Sequence, residues 1–158
     1  MSRGVLIALS CMALVSCADD EATPPAAQPL FPADYAASYT EVRDCRQSGD
    51  HELNVIRILA APEALSPYQN RDAPFPTGAV ILKEEYDFGD LTCEGPIKQW
   101  TVMARLADGS APDALDWHWQ RVDANRVVAA ENESRCYGCH SGCTPANDGY
   151  DHTCAVPP

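Results

Sequence analysis

Cys136 and Cys139 lie three residues apart, and His140 follows the second directly in Cys136-Tyr137-Gly138-Cys139-His140. Thiols at this spacing can add to the two vinyl groups of a haem. The imidazole that follows then falls beneath the iron as its proximal ligand. The pentapeptide therefore predicts one covalently attached haem c, with His140 on the metal and the chemistry left to the opposite face. The same residue types together with Cys143 also suit tetrahedral zinc, a reading that leaves Cys154 without a local partner.

Haem is joined to such motifs outside the cytoplasm, and the N-terminus fits that requirement. Arg3 precedes an apolar run from Val5 to Val15, too short for a permanent membrane span and suited to a signal peptide. The run ends in Leu14-Val15-Ser16-Cys17, which looks like a bacterial lipobox with cleavage before Cys17 and a lipid on its sulfur. The alternative is an ordinary signal peptide carrying an incidental cysteine. The expected organisation is a leader at 1–16, a polar, proline-rich tether at 17–30 and one domain at 31–158. The expected location is the periplasmic side of the cell envelope, with the membrane touched only through the lipid.

Taking 16 residues from 158 leaves 142, enough for one domain with a real core. The formal charge is −12, and the leader removes only a base, Arg3. Such a surface repels nucleic acid and anionic lipid, and it permits docking to a basic redox partner. Of the eight cysteines, Cys11 leaves with the leader, Cys17 takes the lipid, and two take haem. Cys45, Cys93, Cys143 and Cys154 remain, which allows three pairings. The favoured one is Cys45–Cys93 with Cys143–Cys154, the second closing a short loop behind the motif.

The elements that must position these groups follow from patterning. Phe31-Pro32 opens a predicted helix in which Tyr35, Tyr39, Val42 and Cys45 recur at helical spacing through Arg46. Residues 51–60 read as a strand, 62–68 as a short helix and 79–86 as a central strand. Residues 97–106 alternate, with Trp100 and Val102 on one face and Gln99, Thr101, Met103 and Arg105 on the other. Residues 115–122 alternate too, Trp117 and Trp119 opposing His118 and Gln120. A turn at 123–125 leads to a return strand at 126–129. The fold class is α+β, an antiparallel sheet with one or two packing helices and a C-terminal c-type haem motif.

Only 18 residues follow His140, none a methionine, so a cytochrome with an N-terminal motif and a downstream methionine ligand is excluded. The period-two pattern over 78–130 excludes a helical-bundle cytochrome. What remains resembles the cytochrome P-460 family, which includes the cytochrome c′-beta proteins. The phrases that carry the likeness are Glu41-Val42-Arg43-Asp44-Cys45-Arg46, Asp50-His51 ahead of Ile56-Arg57-Ile58-Leu59-Ala60, and Phe75-Pro76-Thr77-Gly78-Ala79-Val80-Ile81-Leu82-Lys83-Glu84-Glu85. Trp117-His118-Trp119-Gln120 and the terminal Cys136-to-His140 motif complete them.

The resemblance implies a five-coordinate iron whose vacant face takes a small gaseous or nitrogenous ligand, and either of two functions. One is haem-based oxidation of hydroxylamine, with nitric oxide chemistry close by and electrons passed to a redox partner protein. The other is non-catalytic gas binding or electron transfer. A third reading, from outside the family, is a zinc- or disulfide-stabilised structural lipoprotein. Lys83 matches the lysine that enzymes of the family join to the haem edge, and its alternative role is a strand-end cation reaching solvent. The distal carboxylate of those enzymes has no clear match, Glu84, Glu85 and Asp116 being candidates by location. Family members also pair as homodimers.

Among the remaining residues, Met103 is read as a core filler, or as a thioether ligand in an electron carrier. His118 is read as solvated or as a distal donor. His51 and His152 are placed at the surface. Arg43, Arg46 and Arg57 are read as propionate partners or structural ion pairs.

Overall fold

The computed structural model describes residues 25–157. The leader at 1–16 and Cys17 lie outside the described residues. Six strands form one antiparallel sheet in chain order: β1 (Thr40–Gln47), β2 (Val55–Ala60), β3 (Val80–Tyr86), β4 (Gln99–Arg105), β5 (Trp117–Asp123) and β6 (Val128–Glu131). Two helices are added, α1 (Pro62–Asn70) between β2 and β3 and α2 (Ser134–His140) after β6. The α+β class follows, with β3 in the interior of the sheet as its two-sided apolar start requires. Among the described residues no helix is long and apolar enough to cross a membrane.

Period-two alternation divides the side chains between two cores. One face carries Leu59, Val80, Leu82, Trp100, Val102 and Val122 against Phe31 and Tyr35 of the N-terminal segment. The other carries Ile58, Ala60, Ile81, Met103, Trp117 and Trp119 against Ala64 and Tyr68 of α1 and Phe75, with Cys136 and Tyr137 of α2 packed beside them. Register fixes the neighbours on this second face. Ile81 lies between Ala60 and Met103, Met103 beside Trp119, and Lys83 between Ile58 and Thr101.

Three elements depart from the sequence expectation. The predicted helix over 31–46 is a single 3-10 turn, Tyr35–Ala37, followed by β1. Thr40 and Val42 are β-branched, and main-chain pairing of Thr40 with Ala60 through Gln47 with Val55 outweighs the helical spacing. Tyr35 and Val42 consequently serve opposite cores. The strand expected from His51 begins at Val55, because Glu52 and Leu53 hold positive φ (55° and 62°) and end any extended run. The return strand begins at Val128, since Asp123 Oδ1 accepts from the amides of Asn125 and Val127 and lengthens the turn.

Cys45 and Cys93 form a disulfide across 48 residues, and Cys143 and Cys154 another across 11. Both are the expected pairs. Among the described residues the free cysteines are Cys136 and Cys139.

Candidate functional site

Between the second face of the sheet and α2 lies a cavity of about 330 Å³, within the range of cofactor sites. Its sheet wall is apolar where Ile58, Ile81, Met103 and Trp119 meet, and polar where Lys83, Glu85 and Thr101 continue the same face. The loop from Ser48 to Glu52 forms the rim, and α2 supplies Cys136, Cys139 and His140. A seven-residue helix places the i, i+3 and i+4 positions of Cys136, Cys139 and His140 along one side. The pentapeptide thus presents both thiols and the imidazole to one space.

His140 is oriented from behind. Its Nδ1 lies 2.6 Å from the main-chain oxygen of His152 and so donates to it, which leaves Nε2 as the lone-pair nitrogen. Among the described residues no hydrogen bond reaches Nε2. The Trp119 ring sits 4.7 Å from the imidazole, centroid to centroid. Burial, and secondarily the charge of Lys83, pushes the His140 pKa down to about 4, so the ring is neutral, the form that binds metal. His152, placed at the surface by the sequence reading, therefore has a positioning role through its backbone. The clasp Cys143–Cys154 holds the tail that delivers it. Burial also raises the Cys136 pKa, keeping it a thiol.

The zinc reading loses its fourth ligand here, because the sulfur of Cys143 is bonded to Cys154. His140, Cys143 and Cys154 do bring three ligand atoms within 4.8 Å of one another, but a disulfide offers no thiolate. The donor set left for a cofactor is two free thiols and one neutral imidazole over an apolar wall. That set suits a haem.

Lys83 lies inside the cavity, its Nζ 2.5 Å from His51 Nε2. It is no strand-end cation reaching solvent: burial lowers its pKa to about 8, against the pull of Glu85. Glu85 is 1% exposed and accepts from His51 Nδ1 (3.1 Å), Asn54 Nδ2 (2.9 Å), Gln99 Nε2 (2.8 Å) and Thr101 Oγ1 (2.9 Å). Desolvation opposes ionisation, yet these donors bring its pKa down to about 2. Of the three carboxylate candidates it alone faces the cavity.

Glu84 points to the other face, where Tyr35, Tyr86 and Arg57 bond it. Asp116 ties a loop by accepting from the amides of Gly109 and Ala111, which hold its pKa below the usual range.

Residues 32–149 match the family model described as Cytochrome P460. The chain belongs to the cytochrome P460 family. Membership implies haem as cofactor, which agrees with the donor set on α2. No curated protein matches the chain.

For a cytochrome P460 protein, the remaining candidates divide clearly. Met103 is 5% exposed in the apolar row between Ile81 and Trp119, a filler of the cavity wall. His118 faces away and meets Glu131 at 2.9 Å, in keeping with the solvated reading. The Gln120 side chain holds the N-terminal segment through Leu30 and Gln28. Arg46 lines the cavity, whereas Arg57 is committed to Glu84 on the opposite face.

The residue that sequence reasoning misplaced is His51. The Asp50-His51 phrase was a signal, but its meaning depends on a loop with two left-handed residues that turns the imidazole back onto Glu85.

Proposed function

We propose that this protein is an exported, lipid-anchored, single-haem c-type cytochrome that carries out redox chemistry on hydroxylamine or nitric oxide. Cys136 and Cys139 hold the haem by thioether bonds, and His140 Nε2 ligates its iron. Haem bound there would supply a redox-active iron. The single observation that carries the reading is that the two free thiols and the oriented, neutral imidazole open onto one cavity.

The chain's own groups do the rest. Ile58, Ile81 and Trp119 keep one wall dry, while Lys83, His51 and Thr101 supply donors and acceptors for a small nitrogen ligand. Electrons taken from hydroxylamine leave to a soluble partner, and its protons leave through the polar rim. A second reading, gas binding without a lysine–haem bond, draws on the hydrogen bond that already engages Lys83 with His51.

The test is an absorption spectrum of protein matured in a host that assembles c-type cytochromes, oxidised and reduced, with and without each ligand. The proposal expects a five-coordinate spectrum that changes with nitric oxide, and hydroxylamine-dependent reduction of an added electron acceptor. A response to nitric oxide without reduction selects the gas binder. A six-coordinate spectrum indifferent to both ligands overturns the proposal.

A further inference from the structure

Glu85, His51 and Lys83 form a continuous line of hydrogen bonds running from the sheet through the rim loop into the cavity. Glu85 Oε1 receives His51 Nδ1–H at 3.1 Å, so Nε2 turns its lone pair toward Lys83 Nζ, 2.5 Å away. The anchor and the middle of the line differ in access to water. Glu85 is 1% exposed, while the His51 side chain is 23% exposed.

We propose that His51 is the residue that moves protons between the cavity and solvent, taking one from the Lys83 ammonium while Glu85 positions it. In the transfer an N–H bond of Lys83 breaks, an N–H bond forms at His51 Nε2, and no electron moves. The imidazolium then lies against the Glu85 carboxylate, which offsets its charge, and it returns the proton to water. Lys83 is left as a neutral amine facing the cavity, with a lone pair for a ligand proton or an electrophile.

This arrangement divides the work of a distal carboxylate between two residues. Four donors hold Glu85 ionised, with a pKa near 2, so it is a poor proton carrier but a firm anchor. Burial favours the uncharged form of Lys83. The charged and titratable groups facing the pair come from every surrounding element: Arg46 from β1, Asp50 from the rim loop, Glu85 from β3, Arg121 from β5, and Cys136, Cys139 and His140 from α2. Arg46 adds to burial in opposing a charge on Lys83, whereas Asp50 and Glu85 favour one. The functional meaning of the relay rests on the cavity being the reaction site, but its existence does not.

The test exploits the fact that the chain has two lysines, Lys83 and Lys98. Haem-loaded protein is acetylated competitively with acetic anhydride from pH 5 to 10, and the peptides are read by mass spectrometry. Lys83 should react with a midpoint near pH 8, with Lys98 as the internal reference. In H51A the Lys83 midpoint should fall, because the Nε2 lone pair that accepts from the ammonium is gone, and H51Q, whose side-chain oxygen can accept in its place, should fall less, with Lys98 unmoved.

An unchanged Lys83 midpoint in both variants, or a Lys83 that never reacts, overturns the relay. If Lys83 is recovered joined to haem, the joined fraction becomes the readout. It should fall severalfold in H51Q, and equal fractions overturn the proposal.

The positioning role of Glu85 is read separately by deuterium exchange at the His51 ring carbon. E85Q, which removes the carboxylate that His51 Nδ1 donates to, should change that exchange rate, and an unchanged rate overturns that role. Protein recovered without haem would contradict the proposed function while leaving all of these midpoints measurable.

Discussion

Replacing Glu85 by glutamine tests the electrostatics of the site on stability alone. The folded carboxylate has its pKa lowered from 4.5 to about 2 by its bonds to His51, Gln99 and Asn54. A depressed carboxylate contributes stability above its unfolded pKa and loses it as pH falls toward the folded one. The shift corresponds to roughly 3 kcal/mol at neutral pH, at 1.36 kcal/mol per unit.

The amide keeps one acceptor for Asn54 and Gln99. Thr101 and His51 can reverse their bonds to accept from its NH2, so unsatisfied donors add little. E85Q should therefore be about 2–3 kcal/mol less stable than the parent at pH 7, with the gap closing between pH 4.5 and 2. Guanidinium unfolding followed by far-ultraviolet circular dichroism at pH 7, 4 and 2.5 measures it. An equal gap at all three values, or none at pH 7, would refute the charge-based account of this network.

Other consequences concern the tail and the second core. In the loop-entropy picture, opening Cys45–Cys93, which spans 48 residues, costs ~4 kcal/mol, and opening Cys143–Cys154, which spans 11, costs ~3 kcal/mol. Only the smaller loop delivers His152 to His140, so denaturant midpoints should fall more in C45S/C93S and haem retention more in C143S/C154S. Gly149 has no space for a side chain, since a Cβ would come within 2.6 Å of Cys143 Cα and 2.7 Å of its carbonyl oxygen. G149A should displace the clasp and lower stability by ~2 kcal/mol, read by guanidinium unfolding. Tyr35, pushed up to about 12 by burial and then by its bond to Glu84, also accepts from Trp100 Nε1. Y35F should cost ~1–2 kcal/mol by thermal unfolding and leave ligand binding at the cavity unaltered.

The sheet was legible because its strands alternate cleanly. Trp117 and Trp119 against His118 and Gln120, and Trp100 and Val102 against Thr101 and Met103, assign faces from period two alone. The α2 residues were legible because their chemistry is local: five consecutive positions carry both thiols and the imidazole. The N-terminal helix failed for the opposite reason, since what makes Thr40–Gln47 a strand is its partner β2, not its own spacing.

His51 was misplaced on the same ground. Nothing adjacent to it announces Glu85, 34 residues away, and the contact depends on left-handed backbone at Glu52 and Leu53. Glu84 and Glu85 are neighbours in the chain, and alternation sends them to opposite faces. Only the register of β3 tells which one meets the cavity.

The most direct measurement of the central claim is the intact mass of protein exported in a host that assembles c-type cytochromes, alongside a C136A/C139A variant. The account predicts one added haem in the parent that survives denaturation and is missing from the variant, with the haem recovered on the peptide bearing Cys136 and Cys139. A parent with the bare polypeptide mass, or a variant that retains covalent haem, would contradict it.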